Sequence, residues 1–344
     1  MKAMVLTGIR QMEMRDWPDP VIESETEVKI RLQRVGVCGS DIHYYRTGKI
    51  GSQVVEFPFP VGHESGGTVV EVGKKVTRVK PGDRIAIEPA ISCGECDQCL
   101  AGRPNTCRQT RFLGCPGQVE GCLTEFVVMP EENCFPIPDD MSLDEAAISE
   151  PLAIGLYAVK QSGLGENDKI GILGFGPIGM SVMLPALAFG SKTIYVTDKI
   201  DDRLNVARNS GAVWTGNPEK ENVPEMINKQ ESLQLDIVFE CCGEQDAVDD
   251  ALKIVKPGGK IMLIGIPEQQ SLCFDMDYMR RKEITLINVR RQRFCVQEAL
   301  DLMASGKIDV MPMATHHFRF SDTKKAFDLV EAYKDGVMKA MIEF

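Results

Sequence analysis

The stretch DKIGILGFGPIGMSVMLPALAFG, residues 168–190 of this 344-residue chain, is the strongest indication of its fold. Residues 169–173 are apolar, as expected of a strand buried on both faces of a parallel sheet. A helical pattern of apolar residues runs as far as Phe189. Between them lies the G-x-G-x-x-G run Gly174-Phe175-Gly176-Pro177-Ile178-Gly179. In this setting the run predicts a turn that binds the pyrophosphate of a dinucleotide at a helix N-terminus.

The acidic residue that follows this turn predicts the cofactor. The next apolar run ends at Asp198, about 20 positions after the glycines, where a carboxylate accepts hydrogen bonds from a ribose 2′-hydroxyl. The same carboxylate repels a 2′-phosphate, although Lys199 and Arg203 soften that repulsion. We therefore expect NAD rather than NADP.

The segments after Asp198 extend the same fold. Apolar runs at 235–243, 259–266 and 284–289 alternate with helical patterns. Alternating strands and helices are typical of a doubly wound parallel sheet, so we predict a Rossmann domain over residues 152–291. The first 150 residues instead carry short β-rich runs between Gly, Pro and Asp turns, which predicts a mostly antiparallel, barrel-like domain.

Four cysteines lie close together in CGECDQCLAGRPNTC, residues 93–107. No signal-peptide pattern or membrane span is visible, so we expect a cytoplasmic protein with reduced thiols, and disulfides are the weaker explanation. The C-x2-C-x2-C-x7-C spacing suits a closed four-sulfur zinc site, whose role is structural. An iron–sulfur cluster and unligated loop thiols remain alternatives, but the usual iron–sulfur run has its fourth cysteine three residues on. The predicted structural zinc ligands are Cys93, Cys96, Cys99 and Cys107.

A second set of metal-binding residue types lies upstream. Cys38 and His43 fall in one run, and His63 is followed directly by Glu64. One Cys, one His and a carboxylate can hold zinc and leave a fourth position open, which is the pattern of catalytic zinc. Because neighbouring strand residues face opposite ways, the chain must turn at Gly62 for His63 and Glu64 to reach one ion.

These motifs carry a family resemblance. GVCGSDIHYY (36–45), VGHESGGTVVEVG (61–73), VKPGDRIAIEP (79–89), the four-cysteine loop and SEPLAIGLYAV (149–159) occur in order with the glycine turn. The chain resembles the zinc-dependent medium-chain dehydrogenases of the polyol (sorbitol or L-iditol 2-) dehydrogenase branch over almost its whole length. The resemblance implies an α/β protein with a GroES-like, mostly β catalytic domain formed by 1–151 and 292–344, around the Rossmann domain. It also implies a homodimer or homotetramer joined through sheet edges.

The resemblance also assigns roles to single residues. Cys38, His63 and Glu64 would bind the catalytic zinc, giving two zinc ions per chain with the structural site. Glu150 would hold the oxygen ligand of that zinc or enter its ligand shell, and we expect Pro151 to keep Glu150 extended. The remaining implied roles are a proton relay through Ser40 and His43, adenosine-side contacts from Asp198 and Arg203, and substrate contacts from Tyr44, Phe112 and Arg291.

Two segments of the chain depart from the usual polyol dehydrogenase pattern. The polyol pattern usually reads Phe-Arg-Tyr, where this chain has Arg290-Arg291-Gln292, and Cys122 replaces a residue of the usual Gly-Gly-Phe-Ala-Glu run. A polyol is favoured, with L-threonine 3-dehydrogenase or a butanediol-type dehydrogenase as alternatives. A catalytically silent NAD-binding protein is the alternative from another class. The retained metal ligands and relay argue against it.

Charge sets limits on the partners. The chain has 50 acidic residues against 39 Lys and Arg, which argues against a nucleic-acid partner. The segment 280–293 is locally basic and could favour a phosphorylated or acidic sugar, although a solvated surface is the simpler reading. The expected partner is a small-molecule polyol or secondary alcohol, with no membrane involved.

Overall fold

The computed structural model describes all residues from 1 to 344, and the chain folds into two compact units. The first unit comprises Met1–Glu150, Val296–Gly306 and Val310–Phe344. The second unit comprises Pro151–Cys295 and Lys307–Asp309.

The strands are numbered here in chain order. Those of the N-terminal part are β1 (Lys2–Gly8), β2 (Gln11–Asp16), β3 (Glu27–Gly36), β4 (Lys49–Ile50), β5 (Gln53–Val54), β6 (Glu64–Val72), β7 (Arg84–Ile87), β8 (Ala90–Ile91), β9 (Arg111–Phe112), β10 (Phe126–Pro130) and β11 (Cys134–Pro136). The later strands are β12 (Lys169–Leu173), β13 (Thr193–Thr197), β14 (Trp214–Gly216), β15 (Leu235–Glu240), β16 (Val255–Leu263), β17 (Thr285–Asn288), β18 (Ala314–Arg319) and β19 (Lys339–Glu343).

The helices are numbered in the same way. They are α1 (Gly39–Thr47), α2 (Asp97–Leu100), α3 (Leu143–Ser162), α4 (Pro177–Ala188), α5 (Asp201–Asn209), α6 (Val223–Gln230), α7 (Gln245–Ile254), α8 (Met276–Lys282), α9 (Val296–Ala304) and α10 (Thr323–Glu331). None of the helices is both long enough and apolar enough to cross a membrane.

The second unit is built on a six-stranded sheet. The strand order is β14-β13-β12-β15-β16-β17, and every neighbouring pair is parallel. The predicted doubly wound parallel sheet is thus confirmed. The short strand β14 was not predicted, because three residues are too few to show a pattern. Buried Phe175 and Phe239 are among the largest side chains of this core.

The first unit contains a seven-stranded sheet in the order β11-β7-β6-β3-β19-β18, with β10 also pairing with β3. Its strands pair antiparallel except β18 with β19, so the predicted mostly antiparallel domain is confirmed. Strand β3 lies between β6 and β19, and its last residue Gly36 is opposite both Glu64 and Met341. The C-terminal strand is thereby brought beside the N-terminal motifs.

One local expectation was wrong. Pro151 does not hold Glu150 in an extended conformation, because both residues lie inside α3, which runs from Leu143 to Ser162. A proline disfavours helix at the preceding residue and removes one backbone hydrogen bond. This helix continues because it is buried over most of its length, including Ala147 and Leu152, which lie at 0 % exposure. Tertiary packing therefore outweighs the local preference.

Candidate metal and cofactor sites

The four-cysteine loop folds into a compact cluster of sulfur atoms. The Sγ–Sγ distances are 3.9 Å between Cys93 and Cys99, 3.6 Å between Cys96 and Cys99, and 3.9 Å between Cys96 and Cys107. Cys107 and Cys93 are 3.5 Å apart. Tetrahedral zinc with Zn–S bonds of about 2.3 Å would place its sulfurs about 3.8 Å apart. The donor set therefore fits a closed zinc site.

Backbone amides favour negatively charged sulfur at Cys96 and Cys107, whereas burial, followed by the neighbouring thiols, raises the pKa of Cys99 to about 12. The amide of Gln109 donates to Cys107 Sγ at 3.3 Å, and that of Cys96 donates to Cys93 Sγ at 3.4 Å. Amides of Arg108 and Cys99 lower the pKa of the Cys96 thiol to about 6. All twelve cysteines are free of disulfide bonds, so these thiols are available to bind a metal.

Three further ligand side chains converge in the first unit. Cys38 lies immediately before α1, His63 follows Gly62, and Glu64 begins β6. Their candidate ligand atoms all lie within 4.8 Å of one another. Gly62 has a φ of +98°, which provides the turn that lets His63 and Glu64 point to one place. A zinc ion keeps its nitrogen, oxygen and sulfur ligands about 2.0–2.3 Å away, so one ion suits this spacing.

Asp41 supports this ligand set from behind. Its Oδ1 lies 3.4 Å from Nδ1 of His63 and accepts the Gly62 amide at 3.1 Å. Its Oδ2 accepts the Cys38 amide at 3.1 Å. One carboxylate therefore fixes both ligand-bearing segments and leaves His63 Nε2 for a metal. Burial lowers the pKa of His63, but the charges of Asp41 and Cys38 outweigh burial and raise it well above its usual range.

The surroundings of these ligands are rich in buried acids. Glu64 is 1 % exposed and is paired with Lys339, which is also 1 % exposed. Glu88 and Glu150 are buried nearby, and burial, together with the charges of Glu64 and Glu88, raises the pKa of Glu150 to about 8. Glu150 is therefore mostly protonated near neutral pH, whereas the carboxylate of Glu64 is compensated by the ammonium group of Lys339.

The structure places the other predicted residues of the first unit as follows. Ser40 and His43 lie three positions apart on α1, a spacing that puts both on one helix face. Burial, followed by the charge of Arg46, lowers the pKa of His43. The Phe112 ring is tilted over His63, with centroids 5.2 Å apart. Tyr44 is buried and donates its hydroxyl to Gln53 Oε1 at 3.1 Å.

The glycine turn of the second unit has the geometry that a dinucleotide needs. Gly174 has a φ of +91°, and α4 begins at Pro177 with Gly176 as its N-cap. A Cβ at Gly179 would overlap the Gly174 carbonyl, so only glycine fits there. Ile178 lies in the first turn of α4. The free amides of this helix N-terminus are suited to phosphate oxygens.

Asp198 lies just beyond strand β13 and is tied to this turn. Its Oδ2 accepts the Phe175 amide at 2.7 Å, and its Oδ1 accepts the Ile200 amide at 2.8 Å. Arg203 is buried, with Nη1 4.0 Å from Asp198 Oδ2 and 3.3 Å from the position a Cβ on Gly176 would take. The carboxylate and the guanidinium thus lie together beside the phosphate-binding turn. Arg291 belongs to the second unit and has a left-handed backbone, with φ +52°.

Sequence reasoning missed Asp41 and Lys339. Asp41 follows Ser40 directly, and an acidic residue three positions after the helix-capping Cys38 is a detectable first-turn signal. Lys339 gives no local signal, because its partner Glu64 lies 275 positions away in the sequence.

The sequence matches two known protein families. Residues 24–139 match the alcohol dehydrogenase GroES-like domain, and residues 177–305 match the zinc-binding dehydrogenases. A sorbitol dehydrogenase of Bacillus subtilis is 34% identical over 99% of this chain and 97% of its own length.

Solved structures agree with this relationship. An Escherichia coli oxidoreductase/dehydrogenase of unknown specificity superposes with a TM-score of 0.94 at 32% identity, covering 99% of this chain and 98% of that chain. An alcohol dehydrogenase of E. coli CFT073 in complex with NADH superposes with a TM-score of 0.90 at 27% identity, covering 100% and 99% of the two chains.

Proposed function

The chain belongs to the zinc-binding alcohol dehydrogenase family, and from this membership we propose that it is an NAD-dependent polyol dehydrogenase. The proposed reaction oxidises a secondary alcohol of a sugar alcohol to the corresponding ketose and reduces NAD to NADH. The observation that carries the proposal is the convergence of half-buried Cys38 with buried His63 and Glu64, in a chain that also has a complete dinucleotide turn.

The residues of the candidate metal site would divide three tasks in this reaction: holding the metal, orienting a ligand and contacting the substrate oxygen. Zinc, when bound, supplies a Lewis acid that makes a substrate hydroxyl easier to deprotonate, and NAD accepts the hydride. Cys38, His63 and Glu64 would hold the metal, and Asp41 keeps the His63 ring in one orientation. Glu150, whose carboxyl is buried near Glu64, would hold a proton or hydrogen-bond the substrate oxygen.

The hydroxyl proton needs a path to water. Ser40 and His43 lie on one face of α1, so Ser40 can accept a proton and pass it towards His43. Because the pKa of His43 is lowered, its ring is neutral at physiological pH and can accept that proton. The alcohol thus loses a proton to the relay and a hydride to NAD, which leaves a carbonyl group.

The cofactor preference follows from Asp198. Its two carboxylate oxygens accept hydrogen bonds from backbone amides beside the glycine turn, which holds the carboxylate in that position. A ribose 2′-hydroxyl can donate to this carboxylate, whereas a 2′-phosphate would be repelled. NAD is therefore the proposed cofactor, with Arg203 on the adenosine side.

The assembly and compartment are part of the same proposal. Strand β17 is the last strand of its sheet, so one edge lacks a neighbour within the chain. The large apolar side chains of Ile266, Met276 and Tyr278 are exposed in the same unit. Pairing of β17 with a second copy would cover such an edge, which supports a homodimer or homotetramer. Free thiols in both metal sites support a reducing, cytoplasmic compartment.

A substrate panel tests the proposed function. Purified enzyme is assayed with NAD or NADP and with sorbitol, xylitol, L-iditol, a sugar-alcohol phosphate, L-threonine and 2,3-butanediol, and NADH or NADPH is followed by absorbance. We expect a polyol with NAD to give the highest kcat/KM. Cys38→Ser should abolish turnover, whereas Cys273→Ser, an exposed cysteine outside both clusters, should not. Preference for threonine or butanediol would replace the polyol assignment.

A further inference from the structure

The C-terminal strand contributes a buried lysine to the candidate catalytic metal site. Lys339 begins β19 and is 1 % exposed. Lysine is almost never this buried unless its charge is compensated, so its position needs a specific reason. Its ammonium group contacts Glu64 Oε2 and lies 3.4 Å from the Val37 carbonyl oxygen.

These two contacts join the two segments that carry metal ligands. Val37 directly precedes Cys38, and its amide donates to the Ala340 carbonyl at 2.9 Å. Strand β19 therefore holds the backbone of Val37 at two points. The Lys339 side chain contacts the Val37 carbonyl, and the Ala340 carbonyl accepts the Val37 amide. The same ammonium group holds one oxygen of Glu64, which leaves the other oxygen for a metal.

A glycine makes this arrangement possible. Gly36 is opposite Glu64 in one strand pair and opposite Met341 in the other. A Cβ on Gly36 would overlap Glu64 Oε2 and lie 3.3 Å from Lys339 Cδ. The backbone thus leaves space for the carboxylate and for the lysine stem beside it.

We propose that Lys339 is a positioning residue of the catalytic metal site, which orients Glu64 towards the ion and ties the Cys38 and Glu64 segments together. This inference rests on the proposed function, because it assumes that Cys38, His63 and Glu64 bind a metal. The fixed ion pair lets Glu64 present one oxygen without further ordering when the metal binds. Lys339 acts through Glu64 and need not contact the substrate.

Zinc release from the intact enzyme tests the assignment. Holoenzyme is incubated with increasing concentrations of a chromophoric zinc chelator, and the metal lost is measured in two phases. The phase that is absent from Cys38→Ser belongs to the catalytic site. Lys339→Met should lower the chelator concentration that removes half of this zinc by about 10- to 100-fold, which is the usual effect of losing a partner of a metal ligand. The phase that belongs to the four-cysteine site should not change.

Three controls separate positioning from a general loss of stability. Lys282→Met removes a partly buried lysine that donates to the Leu252 and Val255 carbonyls, and it should leave both zinc phases unchanged. Lys339→Met should alter the visible spectrum of cobalt-substituted enzyme, which reports ligand geometry, whereas Lys282→Met should not. In a Glu64→Gln background, Lys339→Met should add little further zinc loss, because the effects of two substitutions that remove the same interaction do not add.

Several outcomes would overturn the proposal. The first is folded Lys339→Met protein that binds the catalytic zinc as tightly as the unmutated enzyme, or more tightly. The second is an unchanged visible spectrum of its cobalt-substituted form. The third is a zinc loss in the double variant that equals the sum of the losses caused by Lys339→Met and Glu64→Gln. If Lys339→Met does not fold, Lys339→Gln, which keeps a hydrogen-bond donor but no charge, is judged by the same criteria. Absence of a Cys38-dependent zinc phase in the unmutated enzyme would instead contradict the proposed function itself.

Discussion

Nδ1 of His63 lies 3.4 Å from Oδ1 of Asp41, and both side chains are almost completely buried. The carboxylate also accepts the amides of Cys38 and Gly62. A single side chain thus determines the ring orientation of one candidate ligand and the backbone of the other. Such second-layer partners fix which histidine nitrogen faces a metal.

Asp41→Asn should therefore impair catalysis more than folding. The amide keeps the shape of the side chain but loses the charge that orients His63. We expect kcat/KM to fall about 10- to 100-fold, with zinc content reduced by less than Cys38→Ser reduces it. Steady-state kinetics and metal analysis of the same preparation measure both quantities. Unaltered kcat/KM would show that Asp41 does not support the metal ligand.

The two glutamates near the site should respond differently to removal. A carboxylate oxygen of Glu64 lies within 4.8 Å of the candidate ligand atoms of Cys38 and His63, whereas Glu150 lies outside this cluster of ligand atoms. Glu64→Ala should lower zinc content and activity together. Glu150→Ala should keep most of the zinc while activity falls about 10- to 100-fold. If Glu150→Ala empties the site and Glu64→Ala does not, the roles are reversed.

The four-cysteine site should contribute to stability rather than to chemistry. Cys93→Ser removes one of the four sulfurs that lie at tetrahedral spacing. We expect one zinc per chain instead of two and a clearly lower Tm, because structural zinc supplies folding free energy. Cys273→Ser is the matched control and should change neither quantity. A Cys93→Ser protein with normal Tm and lost turnover would show that the loop has another role.

Cofactor preference should depend on the charge of Asp198. Asp198→Ser removes the repulsion of a 2′-phosphate, and Lys199 and Arg203 can then attract it, so kcat/KM with NADP should rise relative to NAD. Because the Phe175 and Ile200 amides lose their carboxylate acceptors in this variant, its Tm is measured beside the kinetics. Asp202→Ala, an exposed acid on α5, serves as the control. An unmutated enzyme that already prefers NADP would contradict this assignment.

The acid side of the pH profile should report His43. Burial and then the Arg46 charge lower its pKa below the usual 6.5, so the neutral, proton-accepting ring predominates above that range. Activity should fall as pH drops through this lowered pKa. Arg46→Gln removes a repelling cation and should move the acid limb to higher pH by a fraction of a unit, whereas Arg46→Lys should not. Identical limbs in all three proteins would exclude His43 as the titrating group.

The parts of the fold that depend on local pattern could be predicted from the sequence. The turn from Gly174 to Gly179 requires particular backbone angles and close approaches, which only glycine allows, so it is visible in the sequence. The parallel sheet could be predicted because apolar runs alternate with helical patterns in the sequence. Pro151 was misread because its local preference is overridden by burial of α3.

The supporting side chains of the metal site could not be predicted in the same way. Lys339 meets Glu64 only because β19 pairs with β3, and β3 pairs with β6. That sheet order is set by the packing of the whole unit and leaves no trace near residue 339. Asp41 gave a weak local signal, but its contact with His63 depends on the turn at Gly62.

Zinc content and polyol-dependent NADH formation can be measured in the same samples during stepwise chelation. We expect two zinc ions per chain at the start and a loss of activity that follows the loss of the Cys38-dependent ion. Re-addition of zinc should restore both. NADH formation that persists after both ions are removed, or no NADH from any polyol with two zinc ions bound, would contradict the proposed zinc-dependent polyol dehydrogenase activity.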